Sequence, residues 1–333
     1  MATIIPALST AQISGLSSRT IAGLTTEDWA AFNSDQIAAL TTAQVAAIST
    51  AGVPGLNSDH MIAFQTQDLR AMTTQVLRAL ESDQLNALAS DQVQALGTQQ
   101  VANLTSTQVS TMTTEDLNAL GTQHFATLST QQVAALNSDQ LGALETNDLR
   151  ALTTAGIRSL NSDQLAALTS DHIGALTSAQ VVSLTTQQIA TLNSDDLNAL
   201  TSDQIPRLTT TQIDALTTTQ VSTMETADVA ALSTAQVARL SSDQIGAFNS
   251  DHIGAIETQD LRAIGTATIR GLNSDQLAAL NSDQVGALTT AQTAALTSAQ
   301  LGSMTTEDLN ALGTQHFATL SSVQVAGLNS DQL

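Results

Sequence analysis

The 333-residue sequence contains no cysteine, no lysine and no tyrosine, and only three prolines, one tryptophan and five phenylalanines. Without cysteine there is neither a disulfide framework nor a thiolate metal site. All nine basic residues are arginine, against 30 acidic ones, so the net charge is −21. A surface of that sign repels nucleic acid and anionic lipid, and neither is expected as a partner. Apolar residues nowhere run long enough to span a bilayer, so no membrane insertion is expected. The first residues, Met1-Ala2-Thr3-Ile4-Ile5-Pro6-Ala7-Leu8, show no basic start, no long apolar stretch and no cleavage-like site, and no secretory signal is read there. Pro6, Pro54 and Pro206 are scattered, and nothing in the composition reads as a linker.

What the chain has instead is a count of eight. From Leu8 to Leu328 every eighth residue is large and apolar, without an insertion or a deletion. The second residue after each of these is always Ser or Thr, from Thr10 to Ser330, and the fifth is almost always Ile, Val or Leu, with Thr293 among the departures. Residues 1–333 therefore read as one continuous repeat array, with about 40 full octads from 9 to 328. A longer period lies over the first, since residues 57–141 realign without gaps on residues 249–333, an offset of 192. The array stops in mid-octad at Asn329-Ser330-Asp331-Gln332-Leu333 with no polar capping repeat, as if cut from a longer chain or built to meet a neighbour end to end.

Within an octad such as Thr113-Thr114-Glu115-Asp116-Leu117-Asn118-Ala119-Leu120, the apolar pair Leu117 and Leu120 is three apart. A strand would point the two to opposite faces, whereas a helical turn puts them on one. Thr113 can cap the helix, Asp116 can reach back in a capping box, and Met112 can staple onto Leu117. The invariant hydroxyl one place later is an equally good cap by sequence. One long helix is excluded by arithmetic. Eight residues at about 100° each leave a drift of about 80° per octad, so the apolar stripe would wind round the helix. Pro54 and Pro206, both at the sixth place, fit short or 3₁₀-like turns better than a long helix. The expectation is an all-α solenoid or superhelix with one very short helix per octad, and a β-solenoid as the alternative. Burying two large side chains and one small one cannot offset the ordering of eight residues, so stability must come from stacking. The small residue before each large site, as at Ala79, Ala87, Ala95 and Ala119, points to close approach between neighbouring turns. The third and sixth places hold most of the charge and should face water.

Few residues are free to build chemistry, and no enzyme is expected: no residue is assigned a catalytic, cofactor-binding or metal-binding role. Ser58-Asp59-His60, Ser170-Asp171-His172 and Ser250-Asp251-His252 contain the residue types of a hydrolase triad, but neighbours on one helical turn point apart. His60, His124, His172, His252 and His316 all stand at the fourth place, where Gln is usual, and read as replacements for a surface or capping Gln. No two are spaced as zinc ligands. Aspartates recur on successive octads, as at Asp83 and Asp91, Asp163 and Asp171, or Asp275 and Asp283, and read as a solvated acidic face, with Ca²⁺ binding as the alternative. Arg70, Arg78, Arg150, Arg158, Arg262 and Arg270 follow Asp68, Asp148 and Asp260, and read as local ion pairs. Trp29 and the five Phe residues sit in the two apolar columns and are expected in the core, leaving no aromatic to stack on sugars or bases. The Ser/Thr column could order water as an ice-binding face does, although its even mixture of Ser and Thr is explained as well by helix capping.

Octads such as Leu40-Thr41-Thr42-Ala43-Gln44-Val45-Ala46-Ala47-Ile48 and Leu232-Ser233-Thr234-Ala235-Gln236-Val237-Ala238-Arg239-Leu240 resemble the Leu-Thr-Thr-x-Gln-Val-x-Ala repeat regions of large exported bacterial proteins of the adhesin or matrix type. The resemblance covers essentially the whole chain and carries no binding residues with it. It implies a bacterial cell-surface or extracellular location. The expected function is structural: a stalk, spacer or filament subunit that continues into further repeats or associates end to end with identical chains. The alternative is an adhesive or ligand-binding module whose Ser/Thr/Gln/Asp face meets a surface polymer, Ca²⁺ or ice.

Overall fold

The computed structural model describes residues 3–332. They fall into two compact units, Met1–Leu168 and Thr169–Leu333. In the first, nineteen α-helices and two 3₁₀ turns succeed one another from Ile5–Ala7 to Ser162–Ala166, one per octad. In the second, nineteen α-helices and one 3₁₀ turn run from Ser170–Ala175 to Ser322–Ala326. There is no strand among the described residues, so the all-helical expectation holds and the β-solenoid alternative falls. No helix among them is long and apolar enough to cross a membrane.

Each helix starts and stops for local reasons. The first residue of the octad is the cap: the Thr105 hydroxyl accepts the Gln108 N–H at 3.1 Å and the Ser129 hydroxyl accepts that of Gln132 at 3.3 Å. The invariant Ser or Thr that follows is already the first helical residue. Its hydroxyl can reach the next coil instead, as Thr26 Oγ1 does to the Ala51 carbonyl at 3.0 Å and Thr42 Oγ1 to Asp68 Oδ1 at 2.8 Å. At the far end the Leu80 N–H donates to the Leu77 carbonyl at 3.2 Å, and Leu80 (φ −63°, ψ 137°) and Glu81 (φ −74°, ψ 162°) are both extended. Two extended residues in succession turn the chain. No described residue has a positive φ, so the helix closes without the left-handed glycine that commonly ends one, and a large apolar residue can hold the closing position in every octad. The three prolines stand where the helix is replaced by a 3₁₀ turn, in Ile5–Ala7, Val53–Gly55 and Ile205–Arg207.

The fifth and eighth residues of the octads make the core. Trp29, Phe32, Phe64, Phe125 and Phe248 are buried as the apolar columns require, and so is the departure Thr293, whose hydroxyl bonds back to the Thr289 carbonyl. Phe317 does not follow: it is 41% exposed, on the last described coil of its unit, with no later coil against it. Trp29 is larger than the usual occupant of its column, and the next coil yields to it. A Cβ on Gly52 would lie 2.3 Å from Trp29 Cδ1, and one on Gly55 would lie 2.2 Å from the Thr26 carbonyl oxygen.

Within each unit a helix packs against the one three octads on, as Thr130–Ala135 does against Thr154–Ser159 and Ser282–Ala287 against Thr306–Ala311. The side-chain hydrogen bonds between coils span 25 to 31 residues, with 28 the commonest closing distance. A turn is therefore about three and a half octads. Half an octad of stagger sets the fourth residue of one coil over the eighth residue of the coil before it.

Candidate functional site

The stagger assigns a task to the fourth residue. Gln132 is 2% exposed, and each polar atom of its side chain is used. Its Oε1 accepts the Ser129 N–H at 2.9 Å and the Ser129 hydroxyl at 3.0 Å, closing the capping box. Its Nε2 donates to the Val101 carbonyl at 3.0 Å and the Leu104 carbonyl at 2.9 Å, 31 and 28 residues earlier. The same pattern holds at Gln44, Gln108 and Gln140 in the first unit, and at Gln220, Gln244 and Gln292 in the second. One amide thus starts its own helix and satisfies the carbonyls that end another. By sequence this column reads as surface or capping residues; the residues do cap, but they are buried, and their bridging half depends on the stagger between coils.

A second set of bonds comes from the sixth residue. Asn118 Nδ2 donates to the Ala143 carbonyl at 2.8 Å and Asn198 Nδ2 to that of Thr223 at 2.8 Å, each 25 residues on. Arg70 does the same, its Nε–H meeting the Ala95 carbonyl at 2.9 Å. Asp68, its expected ion-pair partner, is buried and takes the Thr42 hydroxyl. Local pairing at these two residues gives way to bonds between coils, because the sixth place faces the next coil's carbonyl. An ion pair does form between coils, Arg239 with Asp214, 25 residues apart at 2.5 Å on the exposed surface.

The histidines replace Gln with the same function. Asn57 N–H donates to His60 Nδ1 at 3.2 Å, so the ring proton sits on Nε2, which donates to the Phe32 carbonyl at 2.9 Å. His124 bridges Gly121 and Leu96, His252 bridges Asn249 and Met224, and His316 bridges Gly313 and Leu288 in this manner. Where His60 and His252 are held this way, the rings are turned inward and away from Asp59 and Asp251, which are exposed. The neighbouring Ser-Asp-His residues do not converge. No group of three or more His, Cys, Asp or Glu residues that could hold a metal ion occurs among the described residues.

Aspartate in the fourth place can cap but cannot donate. The Thr305 N–H donates to Asp308 Oδ2 at 3.1 Å, and a carboxylate has no hydrogen left for the earlier coil's carbonyls. Burial raises the Asp116 and Asp196 carboxyls above the ordinary range, partly offset by hydrogen bonds from Thr113 and Ser170. Asp148 and Asp228, where the first residue is Glu145 or Glu225, are pushed up to about 6 by burial and then by the neighbouring glutamate. Asp28, near the start of the first unit, moves the other way because it accepts hydrogen bonds from Thr3 and Thr25.

No curated protein matches this chain. The family model described as the ALTTAQ repeat matches it ten times, at residues 5–42, 29–66, 61–98, 109–146, 141–178, 177–210, 191–226, 221–255, 253–290 and 302–333. These stretches cover most of the sequence and most of the amide-bridged octads. The chain belongs to the ALTTAQ repeat family.

Proposed function

We propose that this protein is a non-enzymatic structural element, a stalk, spacer or filament subunit that works outside the cell or at its surface. The observation that carries this reading is the use of the recurrent polar column inside the fold. The fourth-place amides and rings, the groups best suited to chemistry, are committed to backbone carbonyls of the preceding coil. The same commitment weakens the alternative of a ligand-binding Ser/Thr/Gln/Asp face, since the Gln residues of that column point between coils and the first hydroxyl of the octad is a helix cap. The cell-surface location rests on the likeness of the octads to repeat regions of exported bacterial proteins.

Stacking supports continuation as the mode of assembly. Phe317 and Val325 occupy the column that is buried in earlier coils, yet they are 41% and 43% exposed. A further coil of the same repeat, from this chain or a second copy, is the occupant their shape and register fit. Electron microscopy of the purified protein tests the reading. Fibres of constant width support a filament subunit, short monodisperse rods support a spacer, and compact round particles overturn both.

A further inference from the structure

The joint made by Asp228 differs from the joints on either side of it. One octad earlier, Gln220 Nε2 donates to the Ile189 and Leu192 carbonyls at 2.7 and 2.8 Å; one octad later, Gln236 Nε2 donates to those of Ile205 and Leu208 at 2.8 Å each. The same register assigns Leu197 and Leu200 to Asp228, and an ionised carboxylate has nothing to donate to them. Three aspartates of the column recover a partner from the hydroxyl 26 residues earlier, Asp68 from Thr42, Asp196 from Ser170 and Asp260 from Thr234, and Asp116 and Asp308 take one from the threonine that caps their own helix. Asp228 does not. It is 6% exposed, and its Oδ2 is buried without a hydrogen-bond partner. Its helix, Thr226–Ala230, is also uncapped by the Glu225 side chain.

The charges around it do not compensate. Glu225 stands at the cap of the same helix and repels it. The helix Ser250–Ala255, packed against this one, carries Asp251, which is exposed, and His252, whose two ring nitrogens are both on backbone groups. On the preceding coil, Asp195, Asp203 and Arg207 are exposed, and Asp196 is engaged with Ser170 and Asn193. In the following octad, Arg239 is paired with Asp214.

We propose that the coil joint at Asp228 is gated by one proton: a proton taken from water onto the carboxyl group closes the joint, and its loss loosens it. Protonation removes a buried charge from beside Glu225 and turns the group into an O–H donor facing a coil whose closing carbonyls need one. Ionisation favours brief local opening, in which the carboxylate is rehydrated. The remaining joints of the unit that are bridged by Gln carry no such group and should not respond.

Hydrogen exchange on the full chain, expressed as protection factors so that the chemical effect of pH is removed, tests this. With the carboxyl titrating at about 6, protection of residues 225–232 should rise about tenfold from pH 7.5 to pH 5. Residues 281–288, bridged by Gln284, should not change in parallel. Asp228→Gln should be protected at both pH values and Asp228→Ala at neither. Equal protection of the native segment at the two pH values, or a pH response that survives in Asp228→Gln, overturns the proposal.

Discussion

The side-chain amide of Gln132 lies 2.9 Å from the backbone carbonyl of Leu104, 28 residues earlier in the chain. That single spacing converts a row of helices, each too short to persist alone, into a coil in which the start of each Gln-bearing helix is tied to an earlier helix end. It also makes the fourth place the most consequential polar position of the octad.

Replacing Gln132 by Ala should therefore be costly. The buried carbonyls of Val101 and Leu104 lose their donor and the helix loses half its capping box, a loss of about 2–4 kcal/mol. Gln132→His, which keeps the cap and one bridge, should cost less than half as much. Gln131→Ala, on the exposed neighbour, should stay within about 0.5 kcal/mol. Denaturant unfolding of the three variants measures the order, and equal losses at 131 and 132 would refute the bridging role.

At Trp29 and Gly52 the expectation concerns coupling. Gly52→Ala places a methyl group where Trp29 Cδ1 already stands and should destabilise by about 1–3 kcal/mol. Trp29→Leu opens that space, so the double variant should be more stable than the sum of the single changes predicts. Strict additivity in the cycle would show that the two residues do not share the space.

Asp148 sets a pH dependence with a definite sign. Its carboxyl is raised to about 6 in the folded chain, so folding takes up a proton between its unfolded and folded titration ranges. Stability linked to this group is full in acid and is lost as pH rises through about 6, opposite to the usual salt-bridged aspartate. Asp148→Gln should raise the unfolding midpoint at pH 7.5 and remove about 1 kcal/mol of the gain seen on acidification. A variant less stable than the parent at pH 7.5 contradicts this account.

Thr293 is the buried hydroxyl in an otherwise apolar column. The hydroxyl bonds backward, to the Thr289 carbonyl at 3.2 Å, a bond that a helix can do without. Thr293→Val should stabilise by about 0.5–1 kcal/mol in thermal unfolding. Loss of stability would mean that the hydroxyl holds the helix end.

Much of this protein is set by local chemistry and is legible residue by residue. The spacing of Leu117 and Leu120, the hydroxyl of Thr113 and the prolines at 54 and 206 determine short capped helices and the places where 3₁₀ turns replace them, because capping, side-chain direction and proline geometry act within a few residues. What the tertiary structure alone decided is the 28-residue closure. It separates the first hydroxyl, which caps, from the second, which reaches the next coil, and it draws Gln132 and His60 into the interior as bridges and Asp228 into the same interior with no bridge to make. No pattern within one octad encodes that closure, since the bonds that stabilise it join residues from coils three to four octads apart, and their partners are backbone carbonyls that leave no trace in side-chain identity.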